Sequence, residues 1–169
     1  MIKSAIVAVG SEIFTGSIVD TNSAYLAKRL NEIGVNVETI MPVPDDLEKM
    51  VRHFERCLSE CDILITTGGL GPTFDDLTAE AIAKAVGVEL EFNETAYRHI
   101  EGLLLKRGVS IKESHKRQAL LPKDAHLLPN SKGTAMGFVC QKGKSFSISL
   151  PGIPYEMKPM FEDYAIPFI

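Results

Sequence analysis

The stretch "LITTGGLGPTFDDLTAEAIAKAVG", residues 64–87, decides the fold because it runs from a strand through a glycine bend into a helix. It opens with a β-branched apolar run, which is typical of a strand buried on both faces. It closes with an alanine-rich segment that favours a helix. Between them lie three glycines and the adjacent pair Asp75 and Asp76. A strand, a glycine loop and a helix in this order indicate an α/β unit.

Two more strand–helix units precede this stretch. Strand patterns cover residues 4–10 and 35–43, and each is followed by an amphipathic helical pattern. Asn22 is placed to cap the first helix, and Asp45 forms a capping-box pair with Glu48 at the start of the second. Three alternations with long crossovers predict a mostly parallel sheet with helices on both faces, a three-layer α/β/α sandwich.

The second half of the chain is less regular. Residues 94–121 look helical and predict a small lobe or flank within a single domain that covers residues 1–169. The segment "GFVCQKGKSFSISLPG", residues 137–152, predicts a hairpin whose second strand joins the main sheet. A closing helix is expected after it.

Composition narrows the class of protein. The chain has 169 residues, 45% of them apolar and 24% charged, which suits one domain with a substantial core. A net charge of −4 argues against a nucleic-acid partner, for which a basic excess is usual. The short apolar run at the N-terminus ends within nine residues, which predicts neither a signal peptide nor a membrane span. We therefore expect a soluble, cytoplasmic protein with no membrane partner.

The ligand site is expected at the carboxyl ends of the strands, where the winding of an open α/β sheet reverses. If the strand order begins 2-1-3, the loops after the first and third strands face one crevice. The first loop contributes Gly10 and Glu12. Glu12 is either a solvated loop acid or a group that holds a ribose hydroxyl or a second metal position.

The glycine loop predicts an anion site. Its backbone N–H groups, together with the start of the next helix, can bind phosphate. The loop residues concerned are Thr67, Gly68, Gly69 and Gly71. Asp75 and Asp76 would repel a phosphate unless a divalent cation lies between them, which predicts a metal site with one or both as ligands. The alternative is that one aspartate caps the helix and the other interacts with its dipole.

Two later turns are further candidates. The turn "NSKGTAMG", residues 130–137, offers Ser131, Lys132, Gly133 and Thr134 to a phosphate. The turn "LPGIPYEMKP", residues 150–159, places Gly152 and Glu156 between a strand and a helix. Each is also consistent with an ordinary turn. The P-loop and dinucleotide-binding glycine patterns are absent, which disfavours a P-loop NTPase and a Rossmann dehydrogenase.

Several segments together carry a family resemblance. They are "VGSEIFTGSIVDTNSAYLAKRLNEIGVNV", "TTGGLGPTFDDLTAEAIAKAVG", "RQALLP", "GTAMGF" and "LPGIPYEMKPMFE". In this order they resemble the N-terminal domain of the CinA (competence/damage-inducible) proteins, within the MoaB/MogA-type, molybdopterin-binding-like family of molybdenum cofactor biosynthesis. The resemblance covers nearly the whole chain. Phe74 stands where the CinA branch often has proline.

The resemblance implies a fold, an activity and a cofactor. It implies a molybdopterin-binding-like α/β/α domain and a metal-dependent ADP-ribose pyrophosphatase that yields AMP and ribose 5-phosphate. The cofactor would be a divalent ion such as Mg²⁺, Mn²⁺ or Co²⁺, bound by Asp75 or Asp76. Asp76 and Glu156 are candidates for the catalytic base by residue type. Relatives of this family often self-associate, so a homo-oligomer is expected.

Three functions are consistent with these residues. The first is hydrolysis of a nucleotide diphosphate, which the CinA-type segments favour. The second is molybdopterin binding or adenylyl transfer in molybdenum cofactor biosynthesis, with a pterin ligand. The third is a non-catalytic nucleotide-binding module, because binding and hydrolytic pockets share most of their parts.

Overall fold

The computed structural model describes residues 1–169 and contains eight strands and seven helices. The strands are β1 (Lys3–Val9), β2 (Asn36–Val43), β3 (Ile63–Thr67), β4 (Leu90–Phe92), β5 (Leu120–Pro122), β6 (His126–Leu128), β7 (Gly137–Lys142) and β8 (Ser145–Leu150). The helices are α1 (Ser11–Phe14), α2 (Thr21–Glu32), α3 (Leu47–Glu60), α4 (Thr78–Val86), α5 (Glu94–Lys106), α6 (Glu113–Arg117) and α7 (Pro154–Met160). A π-helical turn (Phe161–Ala165) and a 3₁₀ turn (Ile166–Phe168) follow α7. None of these helices is long and apolar enough to cross a membrane.

The main sheet has six strands in the order β2-β1-β3-β8-β7-β6. The first four strands are parallel, and β7 lies antiparallel between β8 and β6. The mostly parallel three-layer fold predicted from the sequence is confirmed, and so is the 2-1-3 start of the strand order. The hairpin predicted at residues 137–152 is also present, with both of its strands in the main sheet.

The two faces of the sheet bury separate apolar clusters. Along β1 the side chains alternate: Ala5 and Val7 lie in one cluster and Ile6 lies in the other. This is the two-residue period of a strand that is covered on both faces. Helices α3, α4 and α5 cover the first face, and α2 and α7 cover the second. The core therefore lies in two layers, one on each side of the sheet.

Both predicted helix caps are displaced in the structure. Asp20, rather than Asn22, caps α2, because its side chain accepts a hydrogen bond from the Ser23 N–H at 2.9 Å. Asp46, rather than Asp45, caps α3 by accepting from the Lys49 N–H. Asn22 lies inside α2 and is buried. Because Asn22 and Asp45 do not cap their helices, their side chains can form hydrogen bonds with other parts of the chain.

The segment 94–121 forms α5, α6 and strand β5. Strand β5 pairs with β4 in a separate two-stranded antiparallel sheet. Helix α5 buries Ala96, Ile100 and Leu104 in the same apolar cluster as α3 and α4. The segment thus packs against one face of the domain and reaches the end of the main sheet where the parallel strands terminate.

Candidate functional site

A pocket of about 590 Å³ lies at the switch point between β1 and β3. Volumes of this size are usual for small-molecule sites. Its walls come from the loops that follow β1, β2, β3 and β8, from the loop before β7, from Gln118 after α6, and from the start of α7. The crevice that the strand order predicts therefore exists, and loops far apart in the sequence meet there.

Ten of the residues predicted for the site line this pocket. They are Gly10, Glu12, Gly68, Gly69, Gly71, Asp75, Asp76, Thr134, Gly152 and Glu156. Four others lie behind or beside the wall: Thr67, Ser131, Lys132 and Gly133. The structure thus brings together glycines from the loops after β1, β3 and β8 with all four predicted acids.

The four residues outside the wall have other contacts. Thr67 is buried and donates its hydroxyl to the Pro151 carbonyl at 3.0 Å. The Lys132 ammonium lies 5.2 Å from the centroid of the Tyr155 ring, a cation–π contact at the surface. Ser131 is exposed, and Gly133 lies directly beneath the Glu156 side chain. Lys132 therefore gives the pocket no positive charge in this conformation.

The glycine bend after β3 adopts left-handed backbone conformations. Gly68 has φ 101° and Gly69 has φ 68°, both unfavourable for other residues. A Cβ on Gly68 would lie 2.3 Å from the Val9 carbonyl oxygen, so the bend packs directly on the end of β1. The N–H groups of Gly69, Leu70 and Gly71 make no hydrogen bond within the chain. Three residues of the pocket wall thus have backbone donors without a partner in the chain.

Neither aspartate caps the next helix. The residue before α4 is Leu77, and no side chain caps the helix. Both aspartates instead lie against Thr73 within the loop: the single proton of the Thr73 hydroxyl is shared between Asp75 Oδ1 and Asp76 Oδ2, and the Thr73 N–H donates to Asp76 at 2.8 Å. The capping part of the alternative is therefore wrong, whereas the interaction of one aspartate with the helix dipole stays a prediction.

The charged side chains of the pocket wall are all acidic. Six carboxylates line it, whereas no lysine, arginine or histidine does; the acids are Glu12, Asp20, Asp45, Asp75, Asp76 and Glu156. The basic residues His115, Lys116 and Arg117 of α6 lie outside the wall, although their neighbour Gln118 is part of it. A polyanion would meet strong repulsion here unless cations came with it.

The donor set fits a hard divalent cation. Carboxylate oxygens are the usual ligands of Mg²⁺ and Mn²⁺. No three histidine, cysteine or acidic side chains are clustered closely enough to form a complete metal cage. A complete cage is not needed for Mg²⁺, which is usually held by one or two carboxylates together with water and substrate phosphates. Asp75 and Asp76 on the glycine loop are such a pair.

Asn22 links three parts of the site, a role that its sequence position does not reveal. Its Nδ2 group donates to the Thr67 hydroxyl at 2.9 Å and to the Gly152 carbonyl at 2.8 Å. The orientation of the amide is fixed because the carbonyl can only accept. The Asn22 Oδ1 atom is buried and has no hydrogen-bond partner. A buried acceptor of this kind in a pocket wall suits a ligand or water that brings a donor.

Gln118 is a second amide that sequence reasoning places only in a basic cluster. Its Nε2 group donates to the Leu70 carbonyl at 3.0 Å, and its Oε1 atom is buried without a partner. Apolar side chains of Ile13, Ile18, Val19 and Ile153 complete the wall. For Asn22 and Gln118 no local pattern gives a signal, because their partners lie 45 to 130 residues away in the sequence.

Sequence comparisons identify relatives for nearly the whole chain. Residues 5–169 match the family described as "Probable molybdopterin binding domain". A CinA-like protein of Thermosipho melanesiensis is 47% identical over 163 residues, which cover 96% of this chain and 41% of that protein. A CinA-like protein of Citrifermentans bemidjiense is 42% identical over 165 residues, which cover 98% of this chain and 40% of that protein. The chain thus spans about two fifths of the length of these relatives.

Structural comparisons agree with the sequence. The crystal structure of the protein CinA from Thermoplasma acidophilum superposes with a TM-score of 0.91 at 33% identity, covering 99% of this chain and 98% of the other. The molybdopterin biosynthesis enzyme MoaB of Thermus thermophilus gives a TM-score of 0.64 at 21% identity, covering 100% of this chain and 92% of the other. The second likeness concerns the fold alone.

Proposed function

The chain belongs to the family of probable molybdopterin binding domains and has CinA-like relatives, and on this premise we propose that it is a metal-dependent hydrolase of nucleotide diphosphates. The substrate we propose is ADP-ribose, and the products are AMP and ribose 5-phosphate. The substrate class comes from the resemblance to CinA N-terminal domains. The chemistry of the pocket supports the reaction class.

One observation carries the proposal: free backbone donors and carboxylates line the same pocket without a basic side chain. The N–H groups of Gly69, Leu70 and Gly71 suit phosphate oxygens, which accept hydrogen bonds. The six carboxylates suit cations. A diphosphate that arrives with a divalent cation satisfies both sets, whereas a free diphosphate satisfies only the first.

Hydrolysis requires a water, a base and an exit for the leaving group. The oxygen of water forms a new bond to one phosphorus, and the bond from that phosphorus to the bridging oxygen breaks. The bridging oxygen leaves with the other phosphate, and one proton of the water passes to a base. Asp76 and Glu156 are two half-buried acids of the wall, and both are candidate bases by residue type. The glycine-loop N–H groups would hold the phosphate oxygens in place during this step.

The cation belongs beside the glycine loop. Asp75 and Asp76 would hold it, and when bound it supplies charge neutralisation at the diphosphate oxygens. The hydrogen bonds from Thr73 keep these two carboxylates together on the loop. The apolar groups of Ile18, Val19 and Ile153 would cover the neutral parts of a nucleotide.

The direct test is an assay of AMP release from ADP-ribose with Mg²⁺, Mn²⁺ or Co²⁺ and with EDTA. We expect release only with a divalent ion. Asp75→Asn and Asp76→Asn should raise the Mn²⁺ concentration for half-maximal activity about 10- to 100-fold. The matched control is Asp163→Asn, an exposed acid outside this pocket. AMP release that neither substitution alters would contradict the assignment of the metal ligands.

A second candidate is a pterin ligand, for binding or adenylyl transfer. The unpartnered acceptors Asn22 Oδ1 and Gln118 Oε1 favour it, because an aminopyrimidine edge offers N–H donors. Pterin binding in EDTA with no turnover of ADP-ribose under any metal would support this candidate. Tight metal-dependent binding of ADP-ribose without turnover would instead indicate a nucleotide-binding module.

A further inference from the structure

We propose that the turn Asn130–Gly133 is a seat for the Glu156 carboxylate, with Gly133 and Asn130 as positioning residues for hydrolysis. The inference rests on the proposed function, since it assigns Glu156 rather than Asp76 as the carboxylate held ready to accept the proton. Neither Gly133 nor the buried Asn130 lines the pocket. Both would act through Glu156, which does.

Asn130 organises the turn and holds Glu156 at the same time. Its Oδ1 atom accepts hydrogen bonds from the N–H groups of Lys132 and Gly133, both at 2.9 Å. Its Nδ2 group donates to the Ala135 carbonyl and to Glu156 Oε2, both at 2.8 Å. All four hydrogen-bonding positions of the buried amide are thus used. Glu156 Oε2 is fixed by Asn130, and the carboxylate remains part of the pocket wall.

Gly133 makes room for this arrangement. A Cβ built on Gly133 would lie 2.1 Å from Glu156 Oε2, 2.4 Å from Oε1 and 2.3 Å from the carboxyl carbon. The φ angle of Gly133 lies outside the left-handed region, so an alanine would suffer no backbone strain there. The absence of a side chain at this position is therefore required by Glu156 and not by the turn.

Helix α5 fixes the turn from behind. His99 Nε2 lies 2.8 Å from the Gly133 carbonyl, which can only accept, so this nitrogen donates. Arg107, just beyond the end of α5, donates from Nη2 to the Lys132 carbonyl at 2.8 Å. The turn is thus tied to a helix with a buried apolar face, and the position of Glu156 is determined by rigid elements.

The Asp76 carboxylate is not held by another element of the fold. Its Oδ2 atom takes the Thr73 N–H and hydroxyl and lies 2.6 Å from a Cβ built on Gly71, so it is folded back onto its own loop. The partners of Asp76 come from one loop, whereas those of Glu156 come from another element held by α5. This contrast points to Asp76 as a cation ligand and to Glu156 as the proton acceptor.

The test is a double-mutant cycle with Gly133→Ala and Glu156→Ala. The three atoms nearest to the added methyl group all belong to the flexible end of the Glu156 side chain, so the variant should fold. We expect Gly133→Ala to lower kcat for AMP release about 100-fold, as a small misplacement of a reacting group can do, with the KM for ADP-ribose unchanged. In the Glu156→Ala background the same substitution should have no further effect on kcat, because the two act as a unit.

The matched control is Gly102→Ala in α5, where a Cβ meets nothing within 4 Å. It should leave kcat unchanged, and urea unfolding should show that Gly133→Ala remains folded. Full activity of Gly133→Ala, or an equal loss in both backgrounds, would overturn the proposal. If the wild type releases no AMP with any metal, the proposed function fails by itself. The seat is then tested by a crystal structure of Gly133→Ala, in which Glu156 still bonded to Asn130 would overturn it.

Discussion

At the scale of single residues, the glycine bend after β3 is determined by backbone conformation and by contact. Gly69 has φ 68°, and a Cβ there would lie 2.3 Å from the Thr78 hydroxyl oxygen. That hydroxyl donates to the Gly68 carbonyl at 2.8 Å and ties the bend to the start of α4. Any side chain at position 69 would therefore break this link as well as strain the backbone.

Gly69→Ala should be more destabilising than an alanine substitution at a glycine that has a positive φ angle but no close neighbour. Gly34 has φ 84° and open space around it, so Gly34→Ala should lower the free energy of unfolding by about 1 kcal/mol. Gly69→Ala should lower it by about 2–4 kcal/mol, since the lost hydrogen bond adds to the strain. Urea unfolding of both variants measures the difference. Equal losses would mean that the Thr78 contact contributes nothing.

The three cysteines are expected to be inert in the folded protein. Burial raises the pKa of Cys57 to about 11 and that of Cys140 to about 12, and it also raises the pKa of Cys61. At pH 8 all three should remain neutral thiols, which are poor nucleophiles. Iodoacetamide should therefore label none of them until urea unfolds the chain, as mass spectrometry can show. Rapid labelling of the native protein would contradict the buried positions.

At the scale of elements, hydrogen bonds connect the π-helical turn after α7 to helix α2. Glu162 accepts from Arg29 Nε at 2.7 Å and Nη2 at 2.9 Å, and from the Tyr25 hydroxyl. Hydrogen bonds from Arg29, followed by those from Tyr25, lower the pKa of Glu162 below its ordinary value of 4.5 despite partial burial. Burial and then Glu162 raise the pKa of Tyr25 to about 12.

Glu162→Gln should lower stability in a pH-dependent way. Because the folded-state pKa of Glu162 is depressed, its contribution is present above pH 4.5 and is lost as the pH falls through the folded-state value. At pH 7 we expect a loss of about 1 kcal/mol, since the pair is partly exposed. The difference from wild type should vanish at lower pH. Glu55→Gln, an exposed acid of α3, is the control, and a difference that does not shrink as the pH falls below 4.5 would argue against this linkage.

The elements themselves follow from local patterns, but their polar contacts do not. The alternation within β1 and the apolar stripe of α3 predict the sheet and its covering helices, because these patterns repeat over many residues. The cap of α2 is misplaced by two residues in the prediction. Asp20 and Asn22 are both good caps by residue type, but the side chain of Asn22 is instead bonded to Thr67 and Gly152, which lie 45 and 130 residues away.

The candidate site likewise contains residues that the sequence predicts and contacts that only the structure shows. The glycine bend and the acids Asp75 and Asp76 could be predicted because the strand order alone places their loop at the switch point. Lys132 was predicted as a phosphate ligand from its charge, but its ammonium lies over Tyr155 instead. The seat of Glu156 on Gly133 depends on a contact between helix α7 and a turn 23 residues earlier, and no local pattern predicts such a contact.

At the scale of the whole molecule, five loops, Gln118 after α6 and the start of α7 converge on one acidic pocket. Its walls offer free backbone donors and six carboxylates but no basic side chain. A diphosphate should therefore bind together with a divalent cation, because the cation removes the repulsion between the ligand and the acids. This claim can be tested without turnover, since it concerns binding alone.

The most direct measurement is calorimetric titration of the protein with an ADP-ribose analogue whose bridging oxygen is replaced by methylene. With Mn²⁺ present, we expect a Kd at least about tenfold lower than in EDTA at the same ionic strength, a difference of about 1.4 kcal/mol. Asp75→Asn should reduce this difference, whereas Asp163→Asn should not. The same affinity with Mn²⁺ and with EDTA would contradict a cation-bridged diphosphate at the glycine bend.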